Sequence, residues 1–363
     1  MKSLAGTKRE MCLGIRSFLP ALVFVLAVSC ECSPGEQPGA VVVGVRGRNL
    51  DQAVSADTGF SGSVLAVWRD ELVLAKGYGL ADPELAVHNS VRTVFDMGSV
   101  VKDFTLVAIL LLESRGELST SDTLAQFFPE IPVDKASITL DQVLRMRAGF
   151  DEYHDETGDF EQMDREEALG RIFAQSLLFE PGTDAAYSNS GFTLLAAVVE
   201  LVSGVTFHDY LRESLFGPAG MTSAGFYGDR NVSANFAAVG HGGQAQMGET
   251  NTPPYWPDVT WALEGSGGVY GSVLDLRNWR LAIAEGRILS AEALKKYESY
   301  RPARPDSGGN RIRFSAGGND FGFVFVSVEM VDEEGLLIFA QNNNPTGEEN
   351  PVFLNALLEG LRN

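Results

Sequence analysis

Hydrophobic and polar positions change their period several times along this chain. Ser63 to Trp68 and Leu72 to Tyr78 are short apolar runs joined by Arg69-Asp70-Glu71, a β-hairpin signal. Before them, Val41 to Ala56 mixes apolar and charged residues in a way that predicts a first helix. Thr105 to Leu112 is a long apolar run, and the helix it belongs to is read as starting at Ser99. From Leu118 to about Tyr227 the pattern is helical. Ser119-Thr120-Ser121-Asp122 offers one cap, and Ile138 to Met146 is a further apolar-periodic run. Arg165 to Leu177 follows with Asp164 as N-cap, and Gly191 to Val202 follows with Gly204 as C-cap. Thr206 to Leu215 makes one more helix. Asn231 to Asp258 is rich in Gly, Asn and Pro and reads as a long loop. A short helix reaches Ala284. Ile312 to Ser315, Gly322 to Met330 and Gly335 to Gln341 then read as strands, and Val352 to Leu361 as a final helix.

Strands therefore sit at both ends of the chain and helices in the middle. That order predicts an α/β fold of the α+β type: an antiparallel sheet built from both chain ends, flanked by the terminal helices, with a mostly helical insertion over about 118–258. The segments expected are a leader over 1–29, a tether and first helix over 30–57, and one catalytic domain over 58–363. Active sites favour the seam between two such parts.

Composition changes the picture at the N-terminus. Lys2, Lys8, Arg9 and Arg16 precede an apolar run from Phe18 to Val28, which is too short to span a bilayer as a helix. Ala27-Val28-Ser29 supplies the small residues of a signal-peptide cleavage site, and Cys30 follows directly. Small residues followed by Cys resemble a bacterial lipobox, in which Cys30 would be lipidated; a plain secretory signal cut near the same bond is the other reading. Either places the mature protein outside the cytoplasm, secreted or periplasmic. The three cysteines, Cys12, Cys30 and Cys32, all lie in or beside this segment. The folded domain has no cysteine nucleophile, disulfide or Cys metal site, and no cofactor or metal is expected. The chain carries a net charge of −20, and residues 1–29 contribute +3 of it, so the remainder carries about −23. Such a charge argues against nucleic acid and anionic membrane surfaces as partners.

The candidate chemistry lies in two motifs. Ser99-Val100-Val101-Lys102 is the only Ser-x-x-Lys in the sequence. On a helix, positions i and i+3 share a face, so the Lys102 amine falls beside the Ser99 hydroxyl. A serine is a poor nucleophile until a neighbouring base takes its proton, and a lysine serves if burial keeps it partly neutral. Tyr187-Ser188-Asn189 is the only Tyr-x-Asn among nine tyrosines. A phenol shuttles a proton where a nearby lysine lowers its pKa. Each motif alone has a bland reading: Ser-x-x-Lys arises by chance about once or twice in a chain of this size, and a buried tyrosine often just caps a turn.

Together the motifs resemble those of the serine β-lactamase-like family, which includes class C β-lactamases, penicillin-binding proteins and related esterases. Gly77 to Pro83, Phe179 to Thr183, Gly217 to Thr222 and Gly265-Ser266-Gly267-Gly268 extend the resemblance from about Phe60 to Leu358. The resemblance implies a β-lactamase/transpeptidase-like fold. It implies that Ser99 is acylated, Lys102 helps deprotonate it, Tyr187 relays the proton to the leaving group, and Asn189 orients Lys102 and the substrate. The oxyanion hole would use backbone N–H groups of Ser99 and of Gly318, on a substrate strand carrying Ser315 and Gly317.

The chain departs from that pattern at Ser315, where relatives carry Lys or His. Arg313 shares a strand face with Ser315, although the family does not place its cation there. His241 reads as a loop residue, and His88, His154 and His208 have no motif context. Arg145-Met146-Arg147-Ala148-Gly149, where relatives often have His-Thr-Ser-Gly, reads as structural. The expectation is a serine hydrolase cleaving a small-molecule ester, amide or peptide, esterase-like rather than a true β-lactamase. The alternative is a catalytically weak penicillin-binding-type protein that binds peptidoglycan peptides or lactams.

Overall fold

Both ends of the chain meet in one sheet, and the sequence shows why at each step. The computed structural model describes residues 39–57, 59–153, 158–230, 236–245 and 251–363. The leader, Cys12, Cys30, Cys32, His154 and two stretches of the expected long loop, 231–235 and 246–250, lie outside the described residues. Among the described residues no single helix is long and apolar enough to cross a membrane.

The first expected helix divides in two. Val41–Val42 forms a short strand, β1, and α1 spans Gly44–Ala56. Gly44, at φ +68°, makes the break between them, a left-handed conformation that glycine tolerates. Strands β2 (Gly62–Trp68) and β3 (Glu71–Tyr78) form the expected hairpin. Its loop residues Arg69 and Asp70 both have positive φ, as a two-residue turn between right-twisted strands demands. β4 (Leu80–Asp82) and β5 (Val87–His88) make a small ribbon, and β6 (Phe95–Asp96) leads into α2 (Val101–Ser114) through one 3-10 turn, Gly98–Val100.

The middle of the chain is helical: α3 (Leu124–Phe127), α4 (Leu140–Leu144), α5 (Arg165–Ala174), α6 (Asn189–Ser203), α7 (Phe207–Leu211) and α8 (Gly217–Ala219). The helix expected after Ser119–Asp122 is instead capped by Thr123 with Gln126, while Asp122 closes its own turn by accepting the Ser119 N–H at 2.7 Å. Asp164 caps α5 and Gly204 ends α6 in the left-handed conformation, both as expected. β7 (Gly225–Phe226) and β8 (Val269–Gly271) pair with β6 into a three-stranded sheet, with β8 in the middle. Then come α9 (Val273–Ala284) and α10 (Ala291–Tyr300). The sequence pattern did not signal α10, because its buried stripe is only Ala293 and Tyr297 among charged neighbours. β9 (Arg304–Pro305), β10 (Arg311–Gly318), β11 (Val324–Met330), β12 (Gly335–Gln341) and α11 (Pro351–Arg362) finish the chain.

The main sheet has seven strands in the order β1-β3-β2-β12-β11-β10-β9, antiparallel throughout. Its period-2 alternation feeds two cores. Val64, Ala66, Val326, Val328, Leu337 and Phe339 face α1 and α11, whose Leu50, Val54, Leu357 and Leu361 cover them. Leu65, Phe325, Ile338 and Ala340 face the other way, into the larger core shared with α2 and α6. Every residue of α2 from Val101 to Leu112 is buried, so this helix runs through the protein rather than along its surface.

The fit of α1 on the sheet depends on Gly47. A β-carbon there would lie 2.3 Å from the Val73 carbonyl oxygen, far inside contact distance. Replacing a glycine by alanine within a helix ordinarily gains about 1 kcal/mol. Here the clash outweighs it, and we predict that Gly47→Ala lowers stability by about 1–3 kcal/mol, the usual cost of overpacking. Urea unfolding checks this: a midpoint that stays put or rises contradicts the packing.

Candidate active site

The turn between β6 and α2 projects Ser99 from the end of a buried helix. Gly98 makes the turn possible, with φ +47°, a conformation that resists a side chain. The 3-10 turn then places Ser99 one turn before Lys102, whose side chain is buried. From the second motif, Asn189 opens α6, and Ser188 caps that helix by accepting the Gly191 N–H at 3.1 Å. α2 and α6 pack against each other in the larger core, so both motifs are carried by one rigid pair.

The four candidate residues converge. Lys102 Nζ lies 3.0 Å from Ser99 Oγ, 2.6 Å from Asn189 Oδ1 and 3.1 Å from the Ser266 carbonyl oxygen. The Tyr187 hydroxyl is 2.5 Å from Ser99 Oγ, and the Lys102 amine sits 4.8 Å from the Tyr187 ring centroid. Burial lowers the Lys102 pKa to about 7, against the opposing pull of the Glu152 and Asp159 charges. The ammonium form donates to all three oxygens, whereas in the neutral form two N–H groups serve Asn189 and Ser266 and the lone pair is left for the Ser99 hydroxyl proton.

Tyr187 departs from expectation. In place of a pKa lowered by the lysine, burial of the hydroxyl raises it above the ordinary value, while the Ser99 hydrogen bond works the other way. The residue as a whole is 55% exposed, with its hydroxyl against Ser99 Oγ. With Lys102 itself close to neutral, no strong cation stands beside the phenol to stabilise a tyrosinate. The site at rest thus holds a basic amine and a protonated phenol on the same serine oxygen.

Strand β10 completes the arrangement. A β-carbon on Gly317 would lie 2.3 Å from the Ser99 amide nitrogen, and one on Gly98 would lie 2.5 Å from the Gly318 amide nitrogen. Glycine at these positions lets the two backbones touch. Ser315 is on the same strand face as Gly317, half-buried. Arg313 shares that face, but its guanidinium is held by Glu298 at 3.1 Å, the Arg301 carbonyl at 3.1 Å and Glu329 at 3.8 Å. It is engaged by α10 and β11, and does not replace a cation at Ser315.

The described histidines lie elsewhere. His88 ends β5. His208 stacks on Phe226 at 3.7 Å and lies 2.9 Å from Glu264. His241 donates its backbone N–H to the Asn342 carbonyl, in a loop as expected. Arg147 donates to the Gly182 carbonyl and Arg145 pairs with Asp141, so that segment braces the loop before Tyr187. No group of three or more His, Cys, Asp or Glu that suits a metal occurs among the described residues.

Three contributors were not anticipated. Ser266 acts through its carbonyl, which no side-chain motif reports. Glu152 accepts the Asn189 N–H at 2.9 Å and steadies the start of α6. Asp103, next to Lys102, receives Arg280 at 2.6 Å, Trp279 Nε1 at 2.8 Å and the Tyr297 hydroxyl at 3.0 Å. Burial alone would raise its pKa, but Arg280 and Arg301 hold the carboxyl below the usual range. The signal was available, since a carboxylate inside an apolar helix requires a buried cation.

Comparison with known proteins agrees with this geometry. The β-lactamase family model matches residues 48–324. A Bacillus subtilis (strain 168) protein bearing the penicillin-binding protein name PbpX is 32% identical over 240 residues, covering 66% of this chain. The matched stretch spans only 59% of that relative's length. Among solved structures, a penicillin-binding protein from Bacillus halodurans superposes with TM-score 0.70 at 24% identity, covering 86% of this chain and 99% of its own. A D-amino acid amidase from Ochrobactrum anthropi SV3 gives TM-score 0.73 at 17% identity, covering 87% and 99%. At these identities the structural likeness is one of fold. The chain belongs to the β-lactamase family.

The amine's pKa sets a pH dependence. Protonation below about 7 removes the lone pair that faces Ser99. We predict that the rate at which a neutral fluorophosphonate labels Ser99 rises tenfold per pH unit below about 7 and levels off above it. A rate that is flat between about pH 5 and 8 would rule out Lys102 as the base.

Proposed function

We propose that this protein is a secreted serine hydrolase that cleaves a small ester or amide through an acyl-enzyme on Ser99, with esters favoured over β-lactams. The observation that carries the reading is the single hydrogen-bonded cluster of Ser99, Lys102, Tyr187 and Asn189 beside the glycines of β10.

Neutral Lys102 takes the Ser99 proton as Oγ bonds to the substrate carbonyl carbon. The carbonyl oxygen gains the charge between the N–H groups of Ser99 and Gly318. As the intermediate collapses, the leaving oxygen or nitrogen takes a proton from Tyr187, and the Lys102 ammonium beside the ring returns one to the phenol. Water then attacks the acyl-serine, passes its proton to the same pair of residues, and Ser99 leaves with a proton restored to Oγ. Asn189 and the Ser266 carbonyl keep the amine aimed at Oγ throughout.

The preference among substrates rests on β10. β-Lactams and D-Ala-D-Ala peptides carry a carboxylate near the scissile amide, and relatives meet it with a cation on this strand. A charge-assisted hydrogen bond there is worth about 1.5–3 kcal/mol, or about 10- to 150-fold in binding. Ser315 offers one neutral hydrogen bond, and Arg313 is committed to Glu298 and Glu329. A neutral ester has a better leaving group than an amide and needs no such cation. The same lack of charge favours a second reading, a penicillin-binding-type protein that acylates and turns over slowly; the PbpX likeness points the same way.

A substrate panel separates these. Short neutral esters should turn over measurably, cephalosporins and penicillins weakly or not at all, and Ser99→Ala should abolish both turnover and labelling. Ser315→Lys should shift the ratio toward anionic lactams by about 10- to 150-fold. Faster opening of cephalosporins than of esters by the unaltered protein defeats the ester reading, and a stoichiometric lactam adduct without turnover favours the second.

The basic and apolar leader supports placement outside the cytoplasm, with Cys30 as the anchoring residue of a lipid-modified form. In a bacterial expression host, Cys30→Ser should move the protein from the membrane fraction to the soluble one. An intact Met1 on the soluble protein, found by mass spectrometry, contradicts the leader.

A further inference from the structure

Both backbone donors of the oxyanion hole are tied to one buried carboxylate. Asp96 is the last residue of β6 and is 1% exposed. Its Oδ1 accepts the Gly98 N–H at 3.1 Å and the Tyr227 hydroxyl at 2.6 Å. Its Oδ2 accepts from the Asn319 side-chain amide. Asn319 directly follows Gly318, and its own Oδ1 accepts the Phe321 N–H at 3.0 Å, which fixes the turn leaving β10. The carboxylate thus holds the residue before Ser99 with one oxygen and the residue after Gly318 with the other.

This matters because the contact between the two backbones has no direction of its own. Gly98 and Gly317 let them touch, but a glycine contact permits sliding as readily as it permits closeness. β10 is anchored by β11 on one side, whereas on the other β9 reaches it only at Arg311 and Ile312. Its C-terminal end is paired with β11 through Gly318, and the Asn319 side chain is what ties that end across to β6. An oxyanion hole needs its donors placed to within about 0.5 Å. Losing one donor typically costs about 10²–10³ in kcat.

We infer that Asp96 and Asn319 form a positioning pair that sets the separation of the Ser99 and Gly318 N–H groups, and so controls acylation without touching the substrate. The inference rests on the acyl-enzyme reading above. It also explains a residue choice. An aspartate in an apolar surrounding is costly unless its hydrogen bonds are made, and this one receives three from three separate segments.

The pairing can be exchanged. In Asp96→Asn the new amide nitrogen meets the Asn319 amide nitrogen, donor against donor. In Asn319→Asp two carboxylates face each other. In the double variant Asp96→Asn/Asn319→Asp the hydrogen bonds of the pair named above are restored. The amide oxygen at position 96 still accepts from Gly98 and Tyr227, and the amide nitrogen there donates to the new carboxylate at position 319. That carboxylate still accepts from Phe321. For hydrolysis of a short neutral ester, each single variant should lose about 10²–10³ in kcat with KM changed less than about threefold. The double variant should return to within about tenfold of the original rate, and fluorophosphonate labelling of Ser99 should follow the same order. Thermal melts give the folded fraction at the assay temperature. A kcat loss that merely matches the unfolded fraction, a loss expressed in KM, single variants that keep their rate, or a double variant that is not rescued would each overturn the inference. Should Asp96→Asn not fold, Asn319→Ala removes the same tie from the β10 side and is judged by the same kcat and KM criteria. Unaltered protein that neither turns over nor labels would overturn the acyl-enzyme reading and this one with it.

Discussion

The site depends on an amine held out of water. Lys102 is buried in α2, and desolvation brings its pKa to about 7 against the pull of the Glu152 and Asp159 charges. The next residue shows the opposite solution to the same problem. Asp103 is equally buried, but two arginines surround it and it stays charged. One residue apart on the same helix, a charge is kept where two arginines are supplied and weakened where burial outweighs the pull of Glu152 and Asp159. The Asp103 network joins α2 to α9 and α10, so the helix that carries the neutral amine cannot drift to rehydrate it.

Chemistry and architecture are joined at the sheet. Ser99 and Lys102 come from the helical side and the β10 glycines from the sheet, so the site lies where the helical part meets β10. Polar ties join the two sides: Asp96 with Asn319 at the end of β10, Glu298 with Arg313 along β10, and Arg280 with Glu329 and Ser327 along β11. The loss of a cation at Ser315 changes what the cleft can recognise without changing how it is held together.

Much of this was legible in the sequence, and the exceptions share a cause. The hairpin, α6 with its Gly204 stop, and β11 and β12 follow from period and caps, which are local properties. Ser99, Lys102, Tyr187 and Asn189 were identifiable because each motif occurs once and the spacings matched a known family. α10 escaped because a helix that buries only two side chains leaves almost no periodic trace. Ser266 escaped because a carbonyl oxygen is common to all residues, and only the fold decides which one meets an amine. The sign of the Tyr187 shift was misjudged because a pKa is set by the balance of burial and charge. A motif names the neighbours but not how much water they exclude. Arg313 was placed on the correct strand face, yet its partners Glu298 and Glu329 come from elements whose approach only the tertiary structure reveals.

The pairing of β2 with β12 carries a consequence for how the chain is made. Gly62 pairs with Gln341 and Trp68 with Gly335, so the centre of the sheet joins segments from opposite ends of the sequence. Such distant contacts pay their loop-closure entropy before they return any stability, and they form late. During synthesis the β2–β3 hairpin emerges early and must wait, with one edge open, for almost the whole chain to follow. Until β10 to β12 arrive, Ser99 and Lys102 have no strand to work against. A nascent chain therefore exposes an adhesive sheet edge but no complete cleft, which makes a holding partner useful early and premature acylation impossible.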